Sequence, residues 1–110
     1  MIAIIMSSAI VVMGMQASIS APRTAFVACL KEAGSKAESQ NVAVDAYEAF
    51  LASACAAQAA SLKSALVAFD VKNGIKKAAA ETDAQAQIDD YHAIAREKYE
   101  NKKNLGKPKS

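Results

Sequence analysis

Polar and apolar positions divide the chain into an uncharged opening run and three segments of helical periodicity. Ile2 to Met13 reads IAIIMSSAIVVM without a charged residue, and Gly14 to Ser20 then turns small and polar. Beyond Pro22, which suits the first turn of a helix, Phe26, Cys29, Leu30, Ala33 and Ala37 recur at steps of three and four. Gly34-Ser35 interrupts this segment. Ser35-Lys-Ala-Glu38 has the capping-box spacing, so the first helix either kinks or stops at Gly34. A second segment, from about Asp45 to Lys72, places Tyr47, Leu51, Cys55, Gln58, Leu62, Leu66 and Phe69 on one face. Asp45-Ala-Tyr-Glu48 offers it a capping box. Ala52, Ala56 and Ala60 form a row of small residues that would let a neighbouring helix approach. Asn73-Gly74 closes the segment, with Gly as the left-handed cap residue. A third helix is expected from about Ile75 to Asn104, with a second start at Thr82 and with Ile88, Tyr91, Ala95 and Tyr99 on one face.

The opening run changes the compartment expected for the rest. An apolar core followed by small residues is the layout of a secretory signal, and the run is shorter than the roughly 20 apolar residues a membrane-spanning helix needs. Ser18 and Ser20 meet the small-residue requirement for a cut before Ala21, while a cut after Ala17 is the second choice because Met15 fits it less well. No Lys or Arg opens the segment, so either the α-amino charge suffices or the true start lies upstream of Met1. The alternatives are a buried helix or a short uncleaved anchor. The organisation expected is a signal peptide over 1–20, a helical domain over 21–104 and a flexible basic tail over 105–110. The protein is then periplasmic or extracellular.

Export gives the two cysteines a meaning. Cys29 and Cys55 are the only ones in the sequence, and an even count in an oxidising compartment favours a disulfide. In an antiparallel hairpin, residues that face each other lie about equally far from the turn. The midpoint of 29 and 55 falls in Ser39 to Val44, a plausible connection between helices. The crosslink would close a loop of about 27 residues, worth roughly 3.5 kcal/mol in the chain-entropy model. Free buried thiols, a redox pair and an intermolecular bridge are the competing readings, and the C-x-x-C spacing of a redox pair is absent.

Composition thins the core. Alanine accounts for 26 of 110 residues and aromatics for only 5%, so the helices offer strong propensity but little area to bury. The fold class expected is therefore all-α: a cleavable signal helix followed by a small antiparallel hairpin or three-helix bundle with one disulfide. Net charge is +2, which gives no general case for nucleic acid. Charge is uneven, however. From Arg96 to Ser110 there are six basic residues against two acids, so Arg96, Lys98, Lys102, Lys103, Lys107 and Lys109 are candidate contacts for an anionic partner. The alternative for this stretch is a solubilising end.

Candidate chemistry is sparse. His92 is the single histidine; with Asp89 it supplies half of a metal site, whereas a site needs three or four ligands. Asp89 and Asp90 are adjacent and point about 100° apart on a helix, so they cannot flank one substrate bond. Ser61-Leu-Lys63-Ser64 lacks the partners of a nucleophilic site, and the four glycines are too dispersed for a phosphate loop. No catalytic residue, metal or cofactor is expected. The function expected is that of a non-enzymatic exported protein acting through protein or cell-envelope contacts, with no stable membrane span after cleavage and with homodimerisation open. Two alternatives remain: a small-molecule or metal carrier using the bundle interior, and an envelope-active effector using the basic tail.

Overall fold

A computed structural model describes the backbone of residues 2–105 and the side chains of residues 19–105. Four helices account for nearly all of it: α1 (Ile2–Ser39), α2 (Val44–Ala54), α3 (Ala56–Lys72) and α4 (Lys77–Leu105). The all-α class and the disulfide follow the sequence; the helix boundaries differ in four places, each with a local cause.

The first helix does not begin at Pro22 but runs through it. Proline tolerates this at a cost, because it removes one intrahelical donor and crowds the preceding turn. Nor does α1 stop at Gly34. It continues to Ser39, and the Ser35–Glu38 capping box is not formed. Gly34 serves packing instead: a Cβ at this position would lie 3.0 Å from the Tyr47 hydroxyl, so any larger residue would push that ring back. The glycine lets α2 close over α1.

The helix expected over Asp45–Lys72 is broken at Cys55, where α2 and α3 meet at 69°. Cys55 has φ −115° and ψ 25°, yet its N–H still donates to Leu51 O and its carbonyl accepts from Ala59 N, each at 2.9 Å. The bend is therefore a hinge in a nearly continuous ladder, and Tyr47, Leu51, Cys55, Leu62 and Leu66 all remain buried across it. Phe69 departs from the expected stripe, being about half exposed. The cap differs too. Ala43, not Asp45, precedes the helix, and it makes no side-chain cap; Asp45 sits in the first turn, where its charge suits the helix dipole. Glu48 turns away to Arg96.

Thr82 does not restart the last helix. Its hydroxyl donates to Ala78 O at 3.1 Å, and α4 passes through unbroken to Leu105. Residues 106–110, the rest of the expected tail, lie outside the described residues.

The core runs from Phe26, Leu30, Ala33 and Ala37 of α1 through Tyr47, Leu51, Cys55, Leu62 and Leu66 to Ala84, Ile88 and Tyr99 of α4. The close helix approaches expected at Ala52, Ala56 and Ala60 do not occur, since all three are exposed. Buried small residues fall instead at Ala33 and Ala37 on α1 and at Ala80 and Ala84 on α4. Cys29 and Cys55 are joined, with Cα atoms 5.9 Å apart, inside the usual disulfide range. The bond ties the middle of α1 to the α2–α3 bend, and Cys55 is wholly buried there. Among the described residues no single helix is long and apolar enough to cross a membrane; the bent α2–α3 pair passes that test by length and composition alone.

Candidate functional site

The helices that touch least in this fold are α1 and α4. Each packs against α2 and α3, so an open groove of about 510 Å³ remains between them. Such a volume is ordinary for a small-ligand site. The α1 wall carries Val27, Leu30, Lys31, Gly34, Ser35 and Glu38, spaced as one helical face; the α4 wall carries Tyr91, Ile94, Ala95, Lys98, Tyr99 and Lys102 in the same way. Tyr47 of α2 contributes at the floor. Ile94 is more than half exposed, an apolar side chain left facing water.

Beneath the polar end of the groove, α4 clasps the α1–α2 turn. The Tyr47 and Tyr99 rings stack, with centroids 3.9 Å apart and planes 6° from parallel. Stacked aromatic pairs add about 0.5–1.5 kcal/mol beyond the area they bury. The Tyr99 hydroxyl donates to Val42 O at 2.5 Å and approaches Ala37 O at 3.3 Å. Lys103 donates to the same Val42 carbonyl at 2.7 Å and to Asn41 Oδ1 at 3.3 Å, with its ammonium 5.1 Å from the centre of the Tyr99 ring. The Tyr47 phenol is held above its ordinary pKa, first by burial and then by the neighbouring Tyr99 and Glu38.

The six basic residues singled out in the sequence separate by role. Arg96 pairs with Glu48 across helices at 3.3 Å rather than with Glu100, its i,i+4 neighbour. Lys102 pairs with Glu38 at 2.6 Å, and Lys103 caps the turn. Lys98 makes no ion pair among the described residues and stands on the groove wall. Lys107 and Lys109 lie outside the described residues. Lys31, which charge counting along the chain passed over because it is far from the basic stretch, stands on the facing wall, also without an ion pair among the described residues. Only the fold brings it to Lys98. Its signal in the sequence was its place immediately after Leu30, on the edge of the apolar stripe.

His92 does not join Asp89. Its ring packs edge-on against Phe26, with centroids 5.9 Å apart, and its Nε2 is buried without a partner. Asp89 Oδ1 instead accepts from Gln85 Nε2 at 2.9 Å, and Gln85 Oε1 accepts from Lys63 at 3.0 Å. Among the described residues, no group of three or more His, Cys, Asp or Glu side chains is placed to hold a metal ion. A second trough, between α3 and α4, is lined by Ala60, Val67, Val71, Lys72, Lys77 and Glu81 among others. Comparison with known protein families, with curated proteins and with solved structures finds no match for this chain.

Proposed function

We propose that this is an exported, non-enzymatic helical protein that works by binding, and that its contact surface is the groove between α1 and α4. The observation that carries the reading is the composition of that groove. It sets one half-exposed apolar side chain, Ile94, over the core edge at Leu30, beside two lysines, Lys31 and Lys98, that make no ion pair among the described residues. A purely structural seam would close over its apolar side chains. The disulfide that braces α1 against the α2–α3 bend supports the export part of the reading, because such a bond is at home in an oxidising compartment. Pro22 adds a second support: after a cut before Ala21 it would stand in the first turn of α1, where its missing N–H costs nothing. Ile19 also touches the core, so a cut after Ala17 would preserve a contact that a cut before Ala21 removes.

Placing a photocrosslinking amino acid at Ile94 in cells tests the site, with the same residue at Ala57 as the exposed control outside the groove. Adducts expected at 94 and not at 57 should fall when Lys31 and Lys98 are both changed to Glu. Equal adducts at the two positions would remove the groove as the contact surface. Intact mass of the protein from the cell envelope, with and without reductant, tests export and the crosslink together. A chain that retains Met1 and has two alkylatable thiols would end the exported reading.

A further inference from the structure

We infer that the groove binds a single-chain anionic amphiphile, its acyl chain along Val27, Leu30 and Ile94 and its headgroup between Lys31, Lys98 and Lys102. The inference rests on the groove being the contact surface and adds the chemistry of its occupant.

The groove has direction. Phe26 of α1 meets Tyr91 of α4, with ring centroids 5.3 Å apart, and Glu38 of α1 meets Lys102 of α4. The two walls therefore run the same way. Val27, Leu30, Tyr91 and Ile94 share one end, while Ser35, Glu38, Lys98 and Lys102 share the other, and Lys31 stands between them. From Val27 to Glu38 the wall rises eleven residues, about 16 Å along the helix axis. An elongated ligand, apolar at one end and charged at the other, matches this order.

Charge sets the sign of the headgroup. Three lysines line the groove against one carboxylate, and that carboxylate, Glu38, is already bound by Lys102 at 2.6 Å. A cationic headgroup would meet net repulsion. An anionic one gains Lys31 and Lys98 without breaking any ion pair among the described residues. The Tyr47 hydroxyl lies at the same end, close over Gly34, as a neutral group able to donate to an anion.

Dodecanoate, a single-chain anionic amphiphile, is the probe. It is titrated below its micelle concentration into the oxidised, isotope-labelled mature protein, and methyl resonances are followed by NMR. Saturable one-to-one shifts are expected at Val27, Leu30 and Ile94. Dodecyltrimethylammonium, with the same chain and the opposite charge, should bind more weakly. The double substitution Lys31→Glu and Lys98→Glu should weaken dodecanoate binding about tenfold, the loss expected for two exposed charge contacts. Lys31→Arg with Lys98→Arg should retain it, which separates charge from any local disturbance. Shifts centred on Val67 and Val71 of the second trough, equal binding of the cationic chain, or no saturable shift at all would overturn the inference. If dodecanoate fails while position 94 still crosslinks in the envelope and position 57 does not, the ligand class is wrong and the groove survives. If both fail, the groove goes with it.

Discussion

The chain makes the same turn twice and secures it in two ways. After α1, Val42 N–H donates to Ala37 O at 2.9 Å and Asn41 N–H to Glu38 O at 3.1 Å. After α3, Ile75 N–H donates to Asp70 O at 3.0 Å and Gly74 N–H to Val71 O at 3.1 Å. Both are the paired bonds of a Schellman cap, with a left-handed residue at its centre: Asn41 at φ 54° and Gly74 at φ 91°. The second turn is self-sufficient. Its glycine adopts positive φ without steric cost, and Asn73 Nδ2 donates to Phe69 O at 2.8 Å. Its surroundings stay open, with Phe69, Val71 and Ile75 all exposed. The first turn uses a residue less suited to that backbone and compensates from outside: Tyr99 and Lys103 of α4 both donate to Val42 O, and Lys103 also reaches Asn41. One turn is set by its own residues and the other by a helix some sixty positions away in sequence.

The largest expected effect is on this asymmetry. Tyr99→Ala removes a buried ring, its stack on Tyr47 and its hydrogen bond to Val42, and should cost about 3–5 kcal/mol, the usual range for deleting a core aromatic. Phe69→Ala, beside the second turn and half exposed, should cost much less, within about 1 kcal/mol. Urea unfolding of the oxidised protein measures both. Equal losses would mean that the two ends are held alike.

The disulfide lies between these ends and comes next. Replacing Cys29 and Cys55 together by Ala should lower stability by roughly 3.5 kcal/mol. Amide hydrogen exchange in the variant should rise first around residues 73–76, where the turn is closed by its own Asn73, Gly74 and Ile75 hydrogen bonds. Earlier loss of protection at residues 40–43 would reverse the comparison.

These differences also mark what the residues reveal by themselves. Asn73-Gly74 is readable because everything that forms the turn lies within a few positions of it. The disulfide is readable because the cysteine spacing has one solution once export is assumed. The face holding Leu51, Cys55, Leu62 and Leu66 is readable from its period. The bend at Cys55 is not, because it falls in an alanine-rich run without Gly or Pro and preserves the hydrogen-bond ladder. Gly34 resembles a helix stop until the Tyr47 hydroxyl is seen above it. Glu48 and Arg96 have the right spacing for local partners, Glu48 accepting from the Asp45 backbone N–H in a capping box and Arg96 pairing with Glu100, yet they choose each other across helices. The candidate site was half visible. Lys98 and Lys102 lie in the basic stretch, but Lys31 joins them only because α1 and α4 stand apart in parallel.

The cap residues themselves give a smaller and sharper test. Gly74→Ala forces a Cβ into positive φ, in open space but with backbone strain, and should destabilise by about 1 kcal/mol. Asn41→Gly relieves that kind of strain while losing the Lys103 contact and adding freedom to the unfolded chain, so it should stay within about 0.5 kcal/mol of the parent. Thermal melts of the two variants compare them directly. A gain of about 1 kcal/mol from Asn41→Gly would show that the Lys103 bond to the asparagine side chain contributes nothing.

The last difference between the two turns is silent at neutral pH and appears only in alkali. Tyr47 lies under the first turn and titrates above its ordinary value, because burial, then Tyr99, then Glu38 disfavour the phenolate. The charged neighbours facing this cluster are Lys102, paired with Glu38, and Lys103, over Tyr99. A phenol with a folded pKa above its unfolded value releases its proton more readily once the chain opens. Its contribution to stability is therefore complete below about pH 10, the unfolded value, and is lost as pH rises through the folded one. Melting temperature of the wild type should fall from that point more steeply than that of Tyr47→Phe, which has no phenol to ionise. The variant's own stability at pH 7 sets the baseline for the comparison. Absorbance of tyrosinate gives the titration, and exchange at residues 40–43 locates the opening. Parallel alkaline profiles for wild type and Tyr47→Phe would show that the buried phenol is not what makes the clasped turn sensitive to base.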